Sequence, residues 1–144
     1  MAKRATLTFK PTKKLKGFTW ATAEIYKQSL FLTIGQTDRQ LKNSLLKHIP
    51  NLQEQEANAV VDYLQRKHDR HNGIFAVVQG LHIIRLFEEA DFFDPDFHSI
   101  LSHEILHATI ELLKSRGLSL SDESEEAYTY LMDFYIRNLY KNLL

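Results

Sequence analysis

DPDFHSILSHEILHATIELLKSRG, residues 94–117, is the stretch around which the rest of the chain arranges itself. Asp94 can accept hydrogen bonds from the free amides of a first helical turn, and Pro95 at the first helical position gives up no hydrogen bond of its own, so a helix starts here. Phe97, Leu101, Leu106, Ala108, Leu112 and Leu113 then recur with helical spacing, and Gly117 stands where helices close. Just upstream, Ile74 to Val78 (IFAVV) and Leu81 to Phe87 (LHIIRLF) are two apolar runs split by Gln79 and Gly80, the pattern of a tight hairpin. They are expected to be the best-buried strands.

Working outward, Ser29 to Ile34 (SLFLTI) reads as a strand that stops at Gly35, with Phe18 to Tyr26 as its partner. Leu41, Leu45, Leu46 and Ile49 predict a short helix ended by Pro50. Asn51 and Glu54 resemble a capping box for a second helix carrying Ala57, Val60, Val61 and Leu64 on one stripe. A last helix is expected from Asp122 to the end, with Ala127, Leu131, Phe134 and Ile136 among its apolar residues. The sum is an α+β fold: a small antiparallel or mixed sheet packed on the long helix and a C-terminal helix, in one domain spanning residues 1–144.

Composition narrows the function classes. Eighteen Lys and Arg cancel eighteen Asp and Glu, so no overall field draws polyanions, and nucleic acid is not expected as a partner. The basic residues Lys3, Arg4, Lys10, Lys13, Lys14 and Lys16 make residues 1–16 a basic arm, expected to be solvated and flexible. There is no cysteine, so disulfides, thiolate metal sites and thiol catalysis are excluded and any metal must use nitrogen and oxygen ligands. No signal-peptide pattern follows the start and no apolar run reaches membrane-spanning length, so neither secretion nor a membrane is expected. No Gly-rich phosphate loop or serine-nucleophile motif is present.

His103, Glu104, Ile105, Leu106 and His107 spell HEILH inside the long helix. Residues four apart lie about 40° apart around a helix and one turn along it, so both imidazoles can reach one tetrahedral ion. Glu104 would sit beside that ion, able to hold the attacking water, take its proton and pass it to a leaving amine. The competing reading is a polar helix surface with no site.

A catalytic zinc normally takes three protein ligands. Asp122, Glu123, Glu125 and Glu126 compete for the third place, from the first turn of the last helix. If that helix turns Ala127, Leu131 and Phe134 inward, Glu125 points away and Glu126 lies at the edge of the core face, which favours Glu126.

HEILH followed by ESEEAYTYL resembles the gluzincin arrangement of HExxH plus a distant glutamate, and is most similar to small phage- and prophage-encoded metallopeptidase-like proteins. The resemblance covers about Leu101 to Leu131. It implies Zn2+ on His103, His107 and Glu126, Glu104 as general base, and a minimal zincin-like fold whose edge strand aligns an extended substrate. Leu81 to Phe87 holds that place in the chain order. Thermolysin-like gluzincins carry an aspartate four residues after the ligand glutamate, where this chain has Tyr130.

The expected function is therefore zinc-dependent hydrolysis of peptide bonds, with a peptide or protein substrate. The rivals are a non-catalytic phage structural or assembly protein that keeps its zinc site, and a zinc amidase acting on cell-wall material. The expected location is the host cytoplasm or the virion. Among other candidates, His68 and His71 read as solvated loop residues, and His82 faces either the cleft or solvent. Tyr128, Tyr130 and Arg137 could each stabilise a tetrahedral oxyanion, although aromatics at helical spacing read first as core.

Overall fold

The computed structural model describes residues 12–68 and 72–144. His71 and the first basic residues, Lys3, Arg4 and Lys10, lie outside them. The alternating apolar pattern upstream of the long helix forms a mixed sheet of four strands: β2 (Gly17–Ala23), β3 (Gln28–Ile34), β4 (Gly73–Val78) and β5 (Leu81–Leu86). Its spatial order is β2-β3-β5-β4, antiparallel except for the parallel pair β3 and β5. A second, two-stranded sheet pairs β1 (Lys14–Leu15) with β6 (Ala90–Asp91). The helices are α1 (Asp38–His48), α2 (Glu54–Gln65), α3 (Pro95–Ser115) and α4 (Glu125–Leu143).

Successive strand residues point to opposite faces, so the four-stranded sheet has two cores. Phe31 and Ile83 pack with Leu41, Leu45, Ala57, Val60, Val61 and Leu64 of α1 and α2. Leu30, Leu32, Ile34, Ile84 and Leu86 pack on the other face with Leu101, Ile105 and Leu112 of α3 and with Leu131 and Tyr135 of α4. Leu30, Leu101, Ile105 and Leu112 are fully buried, each contributing about 1.5–3 kcal/mol. None of the described helices is long and apolar enough to cross a membrane.

Several local expectations hold in detail. The Asp94 carboxylate accepts from the Asp96 amide at the start of α3, and Gly117 closes that helix at φ 81°. Gln79 and Gly80 both take positive φ, 52° and 76°, which joins β4 to β5 by a turn matched to the strand twist. Others differ. The second helix is capped by Gln53 with Glu56, not by Asn51 with Glu54, because Asn51 is drawn into a left-handed turn at φ 64°. Lys13 to Lys16 do not belong to a free arm: the Asp91 carboxylate accepts from the Lys13 amide, and Lys14 and Leu15 pair with Asp91 and Ala90. Those backbone hydrogen bonds, from Lys13 and Phe93, hold Asp91 below the usual carboxylate range.

Two corrections matter for the site. Leu81 to Phe87 is not an edge strand: β5 lies between β3 and β4, and the edge beside α3 is β4. Its run of Ile83, Ile84 and Leu86, apolar on both faces, suits a strand covered on both sides. The inward face of α4 also differs. Tyr128, Leu131, Tyr135 and Leu139 are its buried residues, while Ala127, Phe134 and Ile136 only flank them. At about 100° per residue this turns Glu126 roughly opposite the buried stripe and leaves Glu125 nearer its edge, the reverse of the order expected from Ala127 and Phe134.

Candidate metal centre

The HEILH segment lies in the middle of α3, whose inward stripe of Leu101, Ile105, Ala108 and Leu112 is buried. One residue round from that stripe, Glu104 is buried as well. His103 and His107 point outward and are exposed. Their Nε2 atoms converge to 3.1 Å. Two zinc–nitrogen bonds of 2.0–2.1 Å at a tetrahedral angle place their nitrogens about 3.3 Å apart, so the pair has the bite such an ion requires.

The three residues face β4. Gly73, Ile74 and Phe75 line one wall of an open cleft of about 270 Å³, and His103, Glu104, His107, Ile110 and Glu111 line the other. Close approach of α3 to the strand depends on Gly73. A Cβ there would stand 2.6 Å from Leu86 Cδ2 and 2.9 Å from Ile100 Cγ2.

Glu104 Oε2 accepts a 2.8 Å hydrogen bond from the Phe75 amide. Because β4 is the sheet edge, that amide points away from β5 and would otherwise be unpaired. One carboxylate oxygen thus ties the helix to the strand, and the other is left for chemistry.

Glu126 is not brought to this cleft. It is exposed in the first turn of α4, which packs on α3 and on β2, the edge of the sheet farthest from β4. Among the described residues, no group of three His, Cys, Asp or Glu side chains is placed to hold a metal ion. The other acids weighed with it, Asp122, Glu123 and Glu125, also lie outside the cleft lining.

Glu111 is the cleft residue that the sequence reading missed. A carboxylate four residues after His107 falls on the same helical face, and this spacing could have revealed it. Tyr128 is buried and donates to the Leu118 carbonyl, Tyr130 is exposed, and Arg137 pairs with Asp133. None of them lines the cleft. His68 stacks on Phe87 with ring centroids 4.2 Å apart.

His82 faces neither solvent nor the histidine pair. It is buried beside Phe75, and its Nδ1 has no partner among the described residues. Burial pushes its pKa below the ordinary 6.5; Glu111 partly opposes this and Arg116 adds to it. With the folded value below the unfolded one, the unfolded chain binds the extra proton first. Stability is therefore unaffected well above pH 6.5 and falls as the pH drops from there toward the folded value. His82→Leu is expected to flatten the loss of melting temperature between about pH 7 and pH 5. An unchanged acid limb in thermal melts would mean that another group governs it.

In comparisons with known proteins, no family, no curated protein and no solved structure matches this chain, so what the cleft can do follows from its own residues.

Proposed function

We propose that the protein is a zinc-dependent peptide hydrolase whose centre is the His103/His107 pair with Glu104 beside it. The observation that carries this reading is the 3.1 Å convergence of the two Nε2 atoms on a helix face that opens into a cleft. Zinc held by the two imidazoles would supply Lewis acidity, polarising the scissile carbonyl and making an attacking water easier to deprotonate. Glu104 keeps Oε2 on the Phe75 amide and uses Oε1 to take the water's proton, then returns it to the leaving amine.

The edge of β4 gives the substrate a backbone to follow. Phe75 turns its amide outward, so by strand alternation the exposed Val77 turns its amide and carbonyl outward too. An extended peptide can pair with those groups while its carbonyl lies over the histidines. The Phe75 amide is already committed to Glu104, and the substrate does without it.

The third protein ligand usual for catalytic zinc is assigned to Glu126 by the phase expected for the last helix and by the resemblance, and the placement of Glu126 does not support that assignment. One specific observation favours the non-catalytic part of the rival reading, a phage structural or assembly protein that keeps its zinc site. A buried glutamate bonded to an edge-strand amide already has a structural role. Elemental analysis and a peptide-library screen separate the two. One zinc per chain, with cleavage that is lost to a chelator and regained with zinc, is the expected result. A folded protein that takes up no zinc from excess metal would overturn the proposal.

A further inference from the structure

The cleft continues past the histidine pair. α3 runs in the same direction as β4: Ile100 lies against Gly73, and Glu104, one helical turn further on, holds the Phe75 amide. Beyond His107 the wall is formed by Ile110 and Glu111. Glu111 is exposed, makes no ion pair among the described residues, and shares the cleft lining with no Lys or Arg. It is a carboxylate without an ion-pair partner among the described residues, at one end of a cleft that an extended chain would follow.

From the level midway between His103 and His107, Glu111 is about 9 Å further along α3, a distance an extended peptide covers in roughly three residues. We propose that Glu111 determines specificity in this cleft, selecting a Lys or Arg side chain about three residues from the substrate bond that lies over the histidine pair. The selection of cleaved peptides rests on the hydrolase reading above; the selection of bound peptides does not. Charge pairing at a solvent-open position is worth up to about fivefold over an uncharged side chain, repulsion of Glu widens the preference of Lys over Glu to about five- to tenfold, and both should shrink with added salt.

The test uses fluorescein-labelled decapeptides that are identical except for Lys, Leu or Glu, moved along the chain one position at a time. Zinc-loaded wild type is expected to prefer Lys over Glu by about five- to tenfold in KM, with kcat nearly constant, at one position only. Glu111→Gln should erase the preference and Glu111→Lys invert it. Equal ranking of the peptides by all three proteins would overturn the proposal. Fluorescence anisotropy with the zinc-loaded Glu104→Gln variant gives a readout independent of cleavage. If nothing is cleaved but Lys peptides bind more tightly only while Glu111 is present, the docking inference stands and the hydrolase reading fails. If binding is absent or indifferent to Glu111, the specificity proposal fails.

Discussion

Glu104→Gln is expected to lower peptide hydrolysis by about a hundredfold to ten-thousandfold while zinc uptake and melting temperature stay close to wild type. Glutamine keeps a carbonyl oxygen that can accept from the Phe75 amide, so the tie between α3 and β4 survives. What it loses is the ability to take a proton. Glu104→Ala is the informative control, because it removes the base and the tie together. It leaves a part-buried amide without its protein acceptor, at a cost of up to about 1–3 kcal/mol. In a chain of 144 residues, that is about 2–4 °C of melting temperature for each kcal/mol. Comparing the two variants in stability and in activity separates the structural role of Glu104 from its chemical one. Cleavage that persists undiminished in Glu104→Gln would rule out the mechanism whatever the metal content.

His103→Ala and His107→Ala should each abolish the zinc-dependent rise in melting temperature. Zinc at a hundred times its dissociation constant would stabilise the folded protein by about 2.7 kcal/mol, or roughly 5–10 °C for a chain of this size. Both histidines are exposed on α3, so their removal should change little in the metal-free protein. Glu126→Ala should leave the zinc shift intact, since Glu126 stands outside the cleft. A zinc shift retained in His107→Ala would place the metal elsewhere. A shift lost in Glu126→Ala would mean that α4 moves to complete the site on binding.

Much of the fold could be read from local chemistry. Asp94, Pro95 and Gly117 bound α3 because capping and proline geometry act within a single turn. The Gln79–Gly80 hairpin was legible for the same reason. The placement of His103, Glu104 and His107 together followed from the pitch of a helix and required no tertiary information. The caps of α2 were misplaced because Asn51 and Gln53 both suit a helix entry, and the choice depends on the turn that leaves α1.

By itself, the sequence determined the α+β class, the long helix and the facing pair of imidazoles, since each depends on the spacing of residues near one another along the chain. Tertiary structure alone decided which strand borders the cleft, because strand order depends on the parallel pairing of β3 with β5, separated by two helices and β4. It likewise decided the phase of α4. Ala127 and Phe134 are as apolar as the buried residues beside them, and only packing against β2 and α3 selects Tyr128, Leu131, Tyr135 and Leu139. That rotation keeps Glu126 outside the centre, while Glu111, fixed by the same helical pitch as the histidines, stands in the cleft.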